Sequence, residues 1–288
     1  MGKGMRVYFN AHWFSMGINR VIFELERYLP DDFVIADDPD SADLIVFHIN
    51  GRHDHNLTRV KSAMNNGKKY AVIQYVLKSC RNPKPEMWQD IWGGARVVWS
   101  YYPDLEPYCP NLYHAPLAAI PEKFYREPKT KKKYMLGTMG VDPRSECFGE
   151  ARLAVFNAGG KMVHVGKPFA EDPVITYATG VSDDELRHIY NQCEWFSVLR
   201  RADGFEMIGL ESLLCGTRPI LFDTPNYRQW YSETGKFIPE SSVFDTVKDL
   251  TNILKGKSDP VRDDEIEFIK ERFDWKTIID GFWERCRY

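Results

Sequence analysis

No CxxC pair occurs among the six cysteines, which lie at positions 80, 109, 147, 193, 215 and 286. That spacing excludes the common zinc ribbons and dithiol redox centres. Several of the cysteines sit inside apolar runs, which predicts buried reduced thiols. With no apolar leader at the start of the chain, they point to a cytoplasmic protein. Long apolar runs are missing too. A stretch such as "YAVIQYVL" is far too short to cross a bilayer, so any membrane association is expected to be peripheral. Neither charge sign is in excess: 38 Lys and Arg face 41 Asp and Glu, for a formal net charge of −3. Such a chain has no global field for a polyanion, which argues against a nucleic-acid coat protein while leaving a local basic groove open. GxxxxGK[ST] and GxGxxG are also absent, so nothing supports a P-loop kinase or a dinucleotide-dependent dehydrogenase.

What is present is ordinary globular material: 288 residues, 43% hydrophobic and 27% charged, enough for one large domain or two modest ones. The aromatic share of 14% predicts a dense aromatic core. Short apolar segments alternate with amphipathic ones. "MRVYFN" reads as a strand, and "INRVIFELERYLP" as a helix with apolar residues at 18, 21, 22, 25 and 29, ended by Pro30. "DFVIAD", "ADLIVFHI", "KYAVIQYV" and "ARVVWSY" read as further strands. The charged stretch "REPKTKKKY" (126–134) reads as an interdomain linker. The alternation then restarts with "YMLGTMG", a helix ending at Gly159-Gly160, "KMVHVG" and "VITYATG". A helix opens at Ser182, with Glu185 completing a capping box, and the strands "EWFSVL" and "PILFD" follow. The C-terminal "DDEIEFIKERFDWKTIIDGFWERC" is helical in two parts.

The prediction is an α/β protein of two Rossmann-like, doubly wound domains facing a central cleft. The first domain is expected over residues 1–127, the second over 128–270, and 271–288 forms a helix packing back on the first.

The stretch "RRADGFEMIGLESLLCGTRPI" (200–220) concentrates the chemistry. A strand delivers the chain to the sheet's carboxyl edge, and a helix begins near Glu206. The helix's first amides favour an anion, and Gly204 permits close backbone approach. Asp203 offers acceptors to a polyol. Glu211, on an otherwise apolar helix face, is placed to accept two vicinal hydroxyls of a ribose. Arg200 and Arg201 can add charge to a diphosphate.

These residues resemble the retaining GT-B glycosyltransferases of family 4. "VSDDELRHIYNQCEWFSVLRRADGFEMIGLESLLCGTRPI" is similar to that family's C-terminal signature, in which an acid, seven residues and a Glu follow a strand; here the pair is Asp203 and Glu211. Gly204, Phe205, Cys215, Gly216 and Pro219 are in register. Glu206 stands where a Gly is common, and Met207 follows it on the donor-binding stretch. "RFDWKTIIDGFWERC" is similar to the family's terminal helix. In the N-terminal half, "SMGINRVIFELERYL" resembles the glycine loop, retaining Gly17. "ADLIVFHIN" resembles the strand that ends in a His, here His48. "HAPLAAIPEKF" is a looser match, with Leu117-Ala118 in place of Asn-Gly. In the diphosphate-binding segment, "GTMGVDPRSECFG" puts Thr138 where the family has Arg, and Arg144 or Ser145 near its Lys. Lys167 and Arg200 are further candidate cations. Gln74 or Tyr75 stands where several relatives carry a His near the acceptor.

The resemblance implies sugar transfer from a UDP- or GDP-sugar, UDP favoured, to a hydroxyl of a glycan or other glycoconjugate, with anomeric retention and without a metal. Asp203, His48 and Arg144 would lie at the chemistry, with Asp203 orienting sugar hydroxyls. Two alternatives are a non-catalytic nucleotide-sugar-binding module and a transferase acting on modified DNA bases. A metal-dependent transferase using "DPD" (38–40) is disfavoured because that stretch reads as a turn, and "HDH" (53–55) reads as a polar surface loop.

Overall fold

The computed structural model describes residues 4–11, 16–50, 53–76, 85–169, 171–201 and 204–288. Asp203 and Cys80, and the side chains of Met16, His53 and Asp54, lie outside the described residues. The chain divides into two compact units: Met1–Leu117 with Asp203–Phe205 and Asp274–Tyr288, and Ala118–Ala202 with Glu206–Phe273.

The first unit runs β1 (Met5–Ala11), α1 (Met16–Arg27), β2 (Phe33–Ile35), β3 (Leu44–Ile49), α2 (His53–Asn65), β4 (Lys69–Gln74), α3 (Pro85–Gly94), β5 (Val98–Ser100) and β6 (Leu112–His114). Among the described residues its strands make one parallel sheet in the order β2-β1-β3-β4-β5-β6. Every residue of β3 is buried, as expected of a strand covered on both faces. The C-terminal helix α10 (Trp275–Arg287) belongs to this unit. Its fully buried Trp283 lies against Phe9 and Phe33 and donates its indole N–H to the Leu25 carbonyl at 3.3 Å. Burying an aromatic of this size contributes about 1.5–3 kcal/mol. The stretch 53–55, read from sequence as a loop, is instead the first turn of α2. "DPD" forms a turn, in which the Ser41 amide donates to Asp38 Oδ1 at 2.8 Å.

The second unit runs β7 (Tyr134–Met139), α4 (Phe148–Ala158), β8 (Met162–Val165), β9 (Ile175–Ala178), α5 (Asp183–Gln192), β10 (Cys193–Ser197), α6 (Met207–Leu214), β11 (Arg218–Phe222), α7 (Pro225–Tyr231), β12 (Lys236–Ile238), α8 (Val243–Lys255) and α9 (Asp263–Arg272). Its strands order as β12-β11-β10-β7-β8-β9, all parallel. In chain order this is the Rossmann arrangement, and the order reverses between β7 and β10. Ser182 and Glu185 form the capping box of α5. Buried Arg218 on β11 donates to both oxygens of Glu265 on α9, at 2.9 and 3.1 Å, and also to backbone carbonyls.

The stretch 126–134 does not separate the units. The Glu127 amide donates to Asn191, Lys132 Nζ donates to Thr217, and the Lys133 amide donates to the Gln192 carbonyl, all inside the second unit. The charge run that reads as a linker is a strap across α5. Among the described residues, Cys109, Cys147, Cys193, Cys215 and Cys286 are free and buried. Burial pushes the Cys109, Cys147 and Cys193 thiols up to about 12.

Candidate functional site

A Rossmann sheet presents its crevice beyond the carboxyl ends of the two strands where the order reverses. Here β10 ends with Ser197, and its register partner on β7 is Thr138, one residue before that strand ends at Met139. Thr138 is nearly buried, and its hydroxyl lies 2.8 Å from His164 Nδ1 on β8. Burial holds His164 down at about 4, so the imidazole is neutral at pH 7. Ser197 Oγ is buried and has no hydrogen-bond partner among the described residues.

Beyond β7 the chain turns at Gly140, whose φ of +153° suits glycine. A Cβ there would lie 1.7 Å from Glu146 Oε2. Glu146, which sequence reasoning passed over, thus occupies the space a side chain would take. Its Oε1 accepts the Val141 amide at 3.0 Å and pairs with Arg200 Nη1 at 2.5 Å. Its Oε2 is buried without a partner among the described residues. Burial raises the Glu146 carboxyl against the pull of Arg200.

Arg200 arrives from the loop after β10. Besides Glu146 it reaches Glu206 Oε2 at 3.4 Å and donates to the Met139 carbonyl at 3.1 Å. Burial works against its charge, but Glu206 and Glu146 outweigh burial and raise its pKa. The guanidinium is therefore engaged by two carboxylates. Arg201 turns inward instead, donating to Glu150 and the Ser241 carbonyl.

Helix α6 starts directly after Glu206, with no side chain capping its first turn. Met207 is its half-buried first residue. The Glu206 carbonyl accepts the Tyr231 hydroxyl at 2.7 Å. Glu211 is 2% exposed, and the Tyr190 hydroxyl on α5 donates to its Oε2 at 2.8 Å. The acid on the apolar face therefore has a protein partner. Tyr190 falls four residues after Leu186 on the buried stripe of α5, the pattern of an aromatic with an apolar body and a polar tip.

The remaining predicted residues are dispersed. Arg144 is exposed on the turn before α4, its amide donating to Asp142, and Lys167 is exposed just after β8. Gly204 and Phe205 are buried and belong to the first unit, where the Phe205 ring lies 5.5 Å from Tyr101. Gly17 is in the first turn of α1. His48 ends the run of β3 residues that pair with β1, and its Nδ1 lies 2.8 Å from the Tyr75 hydroxyl. Gln74 is spent on packing: its amide donates to the Val76 carbonyl and accepts from Trp92. No group of three or more His, Cys, Asp or Glu among the described residues is arranged to hold a metal ion.

Among the described residues, two parallel six-stranded sheets with flanking helices, one in each unit, define this chain as a GT-B fold. Solved structures match it over nearly the whole of this chain. The chain is similar to the sucrose-phosphate synthase tll1590 from Thermosynechococcus elongatus, with a TM-score of 0.75 at 11% identity, covering 99% of this chain and 98% of that one. It is similar to Anabaena Alr3699/HepE, solved in complex with UDP, with a TM-score of 0.73 at 10% identity, covering 97% and 98%. The pneumococcal O-GlcNAc transferase GtfA, solved with UDP and GlcNAc, matches with a TM-score of 0.65 at 14% identity, covering 96% of this chain and 60% of that one. In sequence, 106 residues are 27% identical to a GDP-mannose:cellobiosyl-diphosphopolyprenol alpha-mannosyltransferase of Xanthomonas oryzae pv. oryzae (strain PXO99A). That segment is 35% of this chain and 28% of that protein. No protein-family profile matches the chain.

Proposed function

We propose that the protein is a retaining, metal-independent glycosyltransferase that takes its sugar from a UDP- or GDP-sugar and passes it to a hydroxyl of a glycan or glycoconjugate. The observation that carries this reading is the switch-point crevice of the second unit. There Ser197 Oγ and Glu146 Oε2 are buried without partners among the described residues, next to the Arg200 loop that leads into α6. Buried polar atoms of this kind call for a polar occupant. The amides of α6 suit the diphosphate and Glu211 the ribose. Two of the matched structures contain UDP and the matched sequence segment comes from a GDP-mannose enzyme, which supports a nucleotide-sugar donor. The protein's part is to stabilise the departing diphosphate and to position the acceptor. The departing phosphate takes the acceptor's proton on the same face, so Asp203 orients sugar hydroxyls rather than attacking.

One observation favours a second reading, a non-catalytic nucleotide-sugar-binding module. Thr138 stands at the expected cation position and is bonded to His164, while Arg200 is taken up by two carboxylates. Incubation with a panel of UDP- and GDP-sugars and glycan acceptors separates the two. The transferase releases nucleoside diphosphate and lengthens the acceptor; the module binds donor and releases nothing.

A further inference from the structure

His48 is 1% exposed and lies on the β3 face that also meets Phe9. Tyr75, just after β4, stacks on its ring at 5.8 Å with an interplanar angle of 16°. The Tyr75 hydroxyl is 2.8 Å from His48 Nδ1. The other polar groups of Tyr75 are already used: its amide donates to the Ile49 carbonyl, and its carbonyl accepts the Tyr101 hydroxyl. The phenolic proton has His48 Nδ1 as its one acceptor among the described residues. The opposite tautomer, with Nδ1–H donating to the phenol, would leave two buried groups unpaired, the phenolic O–H and the Nε2 lone pair. With Nε2–H, one group is unpaired. One fewer buried orphan favours that tautomer by roughly ten- to hundredfold.

We infer that Tyr75 is a positioning residue that locks His48 as the Nε2–H tautomer, making His48 a fixed hydrogen-bond donor to a substrate oxygen and not a proton acceptor. His48 Nε2 is buried without a hydrogen-bond partner among the described residues, at the carboxyl end of β3. That end is beside β1, where the first unit's strand order reverses. A donor with nothing to bind, at a ligand-binding edge, calls for an acceptor oxygen such as a sugar hydroxyl. Burial also holds the imidazole at about 3, so it is uncharged at pH 7. The substrate part of this inference rests on the transferase reading. The tautomer does not, so the two can fail separately.

The test is a two-bond proton–nitrogen correlation spectrum of the full chain, labelled with nitrogen-15 histidine, at pH 7. His48 is assigned by the signals lost in His48→Gln. The expected pattern is a protonated, pyrrole-type Nε2 and a bare, pyridine-type Nδ1. Tyr75→Phe, checked for folding by its melting transition, is expected to populate both tautomers. An Nδ1–H tautomer or an imidazolium in the parent protein overturns the inference, as does an unchanged pattern in folded Tyr75→Phe. If Tyr75→Phe does not fold, the parent spectrum alone decides. Under turnover, His48→Gln, which keeps a side-chain N–H, should stay within about tenfold of the parent. His48→Ala should lose about a hundredfold. Equal losses in the two variants contradict the donor role.

Discussion

The Tyr190 hydroxyl lies 2.8 Å from Glu211 Oε2, joining α5 to α6 within the second unit. This bond gives the carboxylate on an apolar helix face a donor inside the protein. Tyr190→Phe should destabilise the second unit by about 1–3 kcal/mol, because it removes a donor from a buried carboxylate oxygen. Glu211→Ala should weaken nucleotide-sugar binding by about ten- to hundredfold. Denaturant midpoints read the first effect and calorimetric titration the second. A Glu211→Ala variant that transfers sugar at the parent rate removes Glu211 from the site.

Glu146 and Glu206 leave the Arg200 cluster with surplus negative charge, which weakens the hold of the nearby α6 amides on a diphosphate. Glu146→Gln keeps the shape and removes one of those charges. Donor affinity should rise by about three- to tenfold. Unchanged or weaker binding would show that the diphosphate avoids this cluster.

Glu127 makes stability depend on acid. Burial alone would raise its carboxyl, but hydrogen bonds from His188, Thr130 and Arg187 pull it down to about 2. The folded value is thus below the unfolded one. The stabilisation is complete above about pH 4.5 and is lost as pH falls toward 2. At pH 7, Glu127→Gln should cost about 1–2 kcal/mol, and the gap between the parent and the variant should close across that window. A gap that persists at the acid end would contradict the assignment.

How far the sequence was legible depended on range. The Ser182–Glu185 box, α6 and the strands β1–β5 and β7–β11 follow from local pattern, because caps and apolar periods are short-range physics, whereas the three-residue edge strands β6 and β12 are too short to show a period and go unread. The Glu146–Arg200 pair joins elements distant in the chain, and no local rule announces it. The polar run at 53–55 looked like a loop because its apolar stripe begins only at Leu57 and Val60. The lysines around 132 looked like a linker because their partners, Thr217 and Gln192, come much later.

The Arg218–Glu265 pair ties β11 to α9 in the core. Glu265→Ala leaves a buried guanidinium with only carbonyl partners. It should cost about 3 kcal/mol in a denaturant titration. A loss under about 1 kcal/mol would mean that the carbonyls alone satisfy Arg218.

The most direct test is a thermal-shift titration of the parent and Glu211→Ala with UDP-sugars and GDP-sugars. A donor that binds only the folded state stabilises it by about 2.7 kcal/mol at a hundred times its Kd. The account predicts that a nucleotide sugar raises the parent's Tm and that Glu211→Ala responds far less. The arm that responds identifies the base. No shift with any nucleotide sugar, or an equal shift in both proteins, would contradict it.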